Sequence, residues 1–244
     1  LRISESSDNL LRPSNSLQTT IKNAILFENE FYLILNKPHG LAVHGGSGIS
    51  LGLIESLRQM YPKDAYLELV HRLDRDTSGC LLVAKKSSSL KGLHALFRDK
   101  QIKKTYLMLT QGHWPKNLTT MTQSLQKNRL QSGERMVKIN TEGQSAHTQV
   151  KVDRYFQTSS LVEAMPHSGR THQIRVHAQY AKHPIAGDDK YGDKIFNQAM
   201  RSKGLKRLFL HAHQLQFVCP STKALIQVTA PLPVELKAVL KQDI

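Results

Sequence analysis

Apolar and polar positions along the chain fall into short blocks with abrupt ends. Residues 31–35 (FYLIL) form an apolar run closed by Asn36-Lys37-Pro38 and Gly40. A run of that length bounded by proline and glycine predicts a buried strand. Residues 80–84 (CLLVA) predict a second strand and 104–110 (KTYLMLT) a half-buried third. Period-two alternation predicts further strands over 146–155, 160–165, 208–217 and 223–229. Helical spacing is rarer. Leu51, Ile54, Leu57 and Tyr61 share one face behind a Ser50 cap, and Leu90, Leu93 and Phe97 share another after Ser87-Ser88-Ser89. Thr171 to Ala181 reads as a helix with Ile174, Ala178 and Ala181 inward. Leu232 to Lys241 reads as a closing helix with Pro233 in its first turn.

Strands outnumber helices and follow one another without regular alternation. The pattern predicts an α+β fold around a mixed, mostly antiparallel central sheet flanked by helices, rather than a doubly wound one. No repeat of solenoid period is present. Residues 1–20, rich in Ser, Asn and Thr, are expected to be a flexible tail or linker, ahead of one domain over 21–244. Gly45-Gly46-Ser47-Gly48 reads as a loop, and 112–145 as an inserted arm or irregular hairpins.

Composition narrows the class of partner. The 244 residues are 39% hydrophobic, enough for an ordinary core. No window reaches the roughly 18 consecutive apolar residues of a membrane span, and no signal-peptide pattern opens the chain. It starts at Leu1 without a methionine, as a fragment or processed product would. Cys80 and Cys219 are far apart and outside any CxxC pair, which points to buried thiols in a reducing, cytoplasmic compartment. Lys and Arg total 34 against 19 Asp and Glu, a net charge of +15. Such a surface attracts polyanions, nucleic acid above all. A membrane surface is the weaker rival, because no basic amphipathic helix presents an aromatic face.

Two segments concentrate chemistry. His71-Arg72-Leu73-Asp74-Arg75-Asp76-Thr77-Ser78-Gly79 packs two carboxylates and two arginines into a loop between buried strands. By composition alone a solvated charged turn is the commoner meaning. Gly169-Arg170-Thr171-His172-Gln173-Ile174-Arg175-Val176-His177 enters a helix, where Arg170 and Arg175 could meet an anion; a basic solvated face is the bland alternative. His172 and His177 lie five apart, not the four of a helical zinc pair, and His211 and His213 flank Ala212 on one strand face. A metal site is therefore disfavoured. No P-loop, nucleophile elbow or dinucleotide fingerprint is present, so nothing supports ATP, NAD or acyl chemistry.

The sequence HRLDRDTSGCLLVAKK closely resembles the catalytic motif of pseudouridine synthases of the large bacterial rRNA-modifying family. LNKPHGLAVHGG (35–46), KKTYLMLTQG (103–112), HSGRTHQIRVHAQYAKHPIAGDDKYG (167–192) and RLFLHA (207–212) resemble further family blocks in order and spacing. The likeness runs from about Ile25 to the C-terminus. It implies the pseudouridine synthase fold with a cleft across the sheet. It also implies an isomerase that detaches uracil from ribose, turns it and rejoins it through carbon, with no atoms lost and no cofactor or metal.

On the matching positions, the resemblance implies that Asp74 is the essential aspartate, acting either as a nucleophile or as a base toward the ribose. Arg175 is its basic partner, since a nearby cation favours the charged carboxylate. Tyr106 is the tyrosine that stacks on the base and assists the final deprotonation. Arg72 and His71 adjoin the reacting nucleotide, Arg170 meets RNA, and Ile174 and Leu210 form apolar walls. The implied substrate is large-subunit (23S) ribosomal RNA, with no small-molecule cofactor; no membrane partner is expected, and a monomer is expected only because nothing in the sequence indicates association. In the subgroup concerned a small RNA-binding domain usually precedes the catalytic one. Two other readings stay open: a non-catalytic RNA-binding or ribosome-assembly module, and a metal-dependent nuclease using Asp74, Asp76 and histidines.

Overall fold

The computed structural model describes residues 12–46, 51–129, 135–242 and 244. In chain order its elements are α1 (Asn15–Asn23), β1 (Ile25–Glu28), β2 (Tyr32–Lys37), α2 (Leu53–Met60), β3 (Glu68–Leu69), β4 (Ser78–Ala84), α3 (Ser87–Arg98), β5 (Lys103–Gln111), β6 (Thr120–Met121), β7 (Leu125–Arg129), β8 (Arg135–Ile139), β9 (Thr148–Tyr155), β10 (Ser159–Pro166), α4 (Gln173–Tyr180), α5 (Lys194–Ser202), β11 (Leu210–Val218), β12 (Leu225–Thr229) and α6 (Val234–Val239). Ten strands form one sheet along the path β1-β2-β4-β11-β5-β10-β9-β6, with β12 added to β11 and β3 to β4. Among the described strands only β4 and β11 run parallel. The fold is α+β with a mostly antiparallel sheet, as the strand-rich pattern predicts.

The continuous apolar run at 80–84 has its explanation in burial on both faces. Every residue of β4 is buried, as is nearly all of β2 beside it. Leu53, Ile54 and Leu57 of α2, Leu93 of α3 and Ile21 of α1 join these two strands in one apolar cluster. Phe196 and Met200 of α5 and Leu236 and Val239 of α6 pack with Leu109 and Phe209 in a second. A third unites Met108, Trp114 and Val162 with Ile174 and Ala178, and so seats α4 on the sheet. That third cluster positions the candidate site. No described helix is long and apolar enough to cross a membrane.

Several boundaries differ from the sequence reading. Residues 15–20, expected as part of a flexible tail, belong to α1; Ser14 caps it by accepting from Leu17 N at 3.2 Å, and Ile21 anchors it. One buried apolar residue was too little periodicity to announce that helix. Residues 1–11 lie outside the described residues, as does Ser50, the expected cap of α2. That helix starts at Leu53, where Glu55 accepts from the backbone of Gly45 and Gly52 at 3.1 and 3.0 Å. Helix α4 starts two residues later than expected because His172 is left-handed, with φ 54° and ψ 17°. Pro233 is the N-cap of α6 rather than a first-turn residue. The segment 112–145 yields β6 and the separate hairpin β7–β8, whose Leu125 and Val137 pack on Val176 and Tyr191.

The short parallel contact between β4 and β11 demands a glycine. Gly79 has φ +110°, and a Cβ there would lie 2.2 Å from the Ala212 carbonyl oxygen. Both effects penalise any side chain. Gly79→Ala is expected to destabilise the fold by about 3 kcal/mol or more, read as a fall in urea midpoint at unchanged slope.

Candidate active site

Strand register lays the floor of a cleft. Lys37 pairs with Gly79, Gly79 with Ala212, Ala212 with Tyr106, and Tyr106 with Ala164. Residues paired across a sheet project to the same face. Tyr106 therefore stands between Ala212 and Ala164, whose small side chains leave space beside its ring. Helix α4 roofs this space to enclose a cleft of about 300 Å³. His71, Arg72, Asp74, Tyr106, Arg170, Ile174, Arg175 and Leu210, the residues singled out from sequence, all line it.

The loop carrying Asp74 is clamped from beneath by the 35–46 motif. Thr77 N donates to Asp74 O at 3.1 Å, closing the turn. The fully buried Lys37 donates through Nζ to the carbonyls of Pro38, Leu41 and Arg75 at 2.9, 2.8 and 3.0 Å. Gly40 N donates to the same Arg75 carbonyl at 2.9 Å, and His39 Nδ1 lies 3.1 Å from Asp76 O. Burial, followed by the charge of Arg207, pulls the Lys37 pKa down to about 7, against the opposing pull of Asp76 and Asp74. Three carbonyls at hydrogen-bond distance match the three protons of an ammonium, so we assign Lys37 as charged. On the far side, Arg207 Nη2 donates to Ser78 Oγ at 2.6 Å, and Ser78 Oγ lies 2.9 Å from His211 Nδ1. His211 is thus engaged inside the fold. Among the described residues no cluster of three or more His, Cys, Asp or Glu could hold a metal.

Charge at the centre is organised around Arg175. Its Nη1 lies 3.6 Å from Asp74 Oδ2. Its tighter partner is Asp188, which accepts from Nε and Nη2 at 2.7 Å each. Asp188 Oδ1 also accepts from Lys190 N at 2.9 Å and Tyr191 N at 3.0 Å. Burial alone would raise the Asp188 pKa, but the Arg175 hydrogen bonds and charge, helped by those two amides, hold it below 3.8. Burial likewise opposes the charge on Arg175, yet Asp188, with Asp74 adding, raises its pKa above the ordinary value. The expected Asp74–Arg175 pair is therefore one arm of a triad. His172 Nε2 approaches the same Asp74 oxygen at 3.8 Å.

Around this triad the other groups differ in what they are free to do. Burial pushes the Tyr106 hydroxyl well above its usual pKa, with the charge of Asp74 adding, so it keeps its proton. His71 is driven down to about 3 by burial and then by the charge of Lys104; its Nε2 accepts from Leu82 N at 3.1 Å. Its ring forms wall, and its ring nitrogen ties the loop to β4. Arg72 and Arg170 are exposed at the cleft, Arg170 donating through Nε to Ser145 O at 3.4 Å. Ile174 and Leu210 are buried in the cluster beneath α4. Sequence reasoning missed Asp188, Lys104 and the contact of His172 with Asp74. Asp188 and His172 sat inside a quoted motif, but nothing local marked what they touch. Lys104 lies in the cleft over the Phe97 ring, 5.5 Å from its centroid, with its pKa lowered by burial to about 8.

The Asp188 arrangement carries a stability consequence. Its folded pKa lies below the ordinary 3.8, so its contribution is complete above that value and is lost as pH falls through the folded pKa. Asp188→Asn leaves a buried guanidinium without its main counter-charge, at a cost of about 3–5 kcal/mol near neutral pH. Melts of both proteins from pH 7 to pH 2 are expected to differ by a constant amount down to about pH 4 and to draw together below it, as protonation through the folded pKa removes the same charge from the parent.

Comparison with known proteins meets this geometry. The profile of the family described as RNA pseudouridylate synthase matches residues 31–180. The chain is 48% identical over 240 residues to the ribosomal large subunit pseudouridine synthase C of Pasteurella multocida, covering 98% of this chain and 74% of that one. Against the protein of the same name from Escherichia coli K12 it is 47% identical over 244 residues, covering 99% and 76%. The solved structure of human RNA pseudouridylate synthase domain containing 4 superposes with a TM-score of 0.75 at 28% identity, over 93% of this chain and 95% of that one. The profile match spans the loop of Asp74, the strand of Tyr106 and the helix of Arg175, and on that ground the chain belongs to the RNA pseudouridylate synthase family.

Proposed function

We propose that this protein converts uridines of large-subunit (23S) ribosomal RNA to pseudouridine, with Asp74 as the reacting carboxylate. The observation that carries the assignment of roles is the meeting of Asp74, Arg175 and Tyr106 in one cleft, with Arg175 Nη1 3.6 Å from Asp74 Oδ2. Asp74 starts the reaction by attacking sugar or base, or by taking a proton from the ribose. Arg175, aimed by Asp188, steadies its negative charge. The Tyr106 ring offers a face for the uracil, and its retained hydroxyl proton suits a group that shuttles a proton in the last step. The isomerisation conserves every atom of the substrate, so the chemistry calls for no cofactor.

A uridine must leave its stack to enter such a cleft, at a cost of a few kcal/mol. Phosphate contacts from Arg72, Lys104 and Arg170 would offset that cost, consistent with the net charge of +15. Recognition then rests on RNA shape and splayed bases. We infer a single catalytic domain over 21–244 that acts as a cytoplasmic monomer. A binding-only module has no use for Asp74, Tyr106 and Arg175 in one cleft, which favours the enzyme.

Incubation with unmodified large-subunit rRNA, followed by pseudouridine mapping, tests the proposal. Asp74→Asn is expected to bind RNA within about twofold of the parent while product formation falls on the order of 10³-fold. Retained turnover in that variant would remove Asp74 from its role. Lys104→Ala is expected to weaken binding of all RNA sequences alike and to flatten the salt dependence by roughly 0.7–0.9 in slope, measured by titration across ionic strength.

A further inference from the structure

The hairpin β7–β8 reaches the cleft through one hydroxyl. Val137 N on β8 donates to Tyr191 Oη at 2.9 Å, and the same oxygen lies 2.8 Å from His172 Nδ1. A tyrosine hydroxyl has a single proton to give. With Val137 occupying a lone pair, that proton is available to Nδ1. The proton of a neutral imidazole then sits on Nε2, the nitrogen that faces Asp74 Oδ2 at 3.8 Å. Burial lowers the His172 pKa below 6.5, with the charges of Arg175 and Lys190 adding and those of Asp74 and Asp188 opposing, so the ring is neutral near pH 7.

The backbone supports a dedicated role. His172 is left-handed at φ 54°, which costs free energy for any residue but glycine, though His, Asn and Asp tolerate it best. That conformation places the side chain, 12% exposed, between Tyr191 and Asp74 at the very start of α4. The ring stands at 68° to that of Tyr191, with centroids 5.4 Å apart. Arg175, whose guanidinium lies 5.1 Å from the Tyr191 ring centroid, approaches the same Asp74 oxygen from its own side.

We propose that His172, held in its Nε2–H form by Tyr191, is a positioning residue that pins Asp74 Oδ2 together with Arg175 and leaves Oδ1 as the reacting oxygen. At 3.8 Å the contact exceeds a hydrogen bond. It closes when substrate orders the cleft, as catalytic contacts often do. The hairpin thereby gains a mechanical link to the carboxylate, through Val137, Tyr191 and His172. This inference rests on the reading of Asp74 as the reacting group.

The test uses the full chain and three variants: His172→Asn, Tyr191→Phe and the double substitution. Asparagine tolerates the left-handed backbone and keeps an amide near the place of Nδ1, but stops short of Asp74. Phenylalanine keeps the ring beside Arg175 and loses only the hydroxyl. Single-turnover rates at saturating rRNA, RNA affinity and melting temperature are measured for each, with rates taken well below every melting point. His172→Asn is expected to slow turnover on the order of 10²-fold, and Tyr191→Phe on the order of 10-fold, with RNA affinity unchanged within about twofold. The double variant is expected to be no slower than His172→Asn, because Tyr191 acts through His172. A parental rate in His172→Asn, or losses that multiply in the double variant, overturns the inference. Asp74→Asn runs alongside: if it turns over, the catalytic reading itself has failed, whereas if it is inactive while His172→Asn matches the parent, only the His172 inference has failed.

Discussion

The site depends on one guanidinium shared unequally by two carboxylates. Arg175 is buried, and an isolated buried charge of that kind is costly by several kcal/mol. Asp188 meets that cost with a bidentate pair at 2.7 Å, and its own remaining capacity is filled by two backbone amides. The fork geometry of the pair fixes the plane of the guanidinium, so Nη1 points at Asp74. Asp74 therefore faces a cation that is already oriented, at 3.6 Å rather than in a tight bridge. A carboxylate locked in its own bidentate pair would have its oxygens occupied. Asp188 takes that part instead.

A second constraint places the tyrosine and the aspartate in the same cleft. Gly79 lets β4 approach β11, and Ala212 lies between Gly79 and Tyr106 in register. The same β4 follows the Asp74 loop directly, so the strand contact that admits the glycine also brings the loop beside Tyr106. Lys37 then fixes the loop from below through the Arg75 carbonyl, while its contacts with the Pro38 and Leu41 carbonyls tie down its own segment. The 35–46 motif contributes by holding the backbone that carries the reacting group, and Lys37 itself is absent from the cleft lining.

The fold class and the main strands of the sheet were legible because burial on a sheet imposes a period that survives in a single sequence. The run at 80–84 announced a strand covered on both faces, and β4 is buried throughout. The 71–79 segment and the block at 169–177 were equally visible, since unusual charge between apolar runs is a local signal. Helix α1 was not, because Ile21 is its sole buried side chain and, Leu17 apart, the rest of it is polar. Helix α4 was placed two residues early, because a left-handed histidine looks like any other histidine in sequence.

By itself, the sequence determined the main strands of the sheet, the family likeness and eight of the residues that line the cleft. Those properties are written in neighbouring positions, as periodicity and motif. Only the tertiary structure decided which groups share a proton or a charge: Asp188 with Arg175 across 13 residues, Lys37 with the Arg75 carbonyl across 38, Tyr191 with His172 across 19. Such pairings depend on strand register and on where a loop is pinned. Both are set by the packing of distant segments, and no spacing along the chain encodes them.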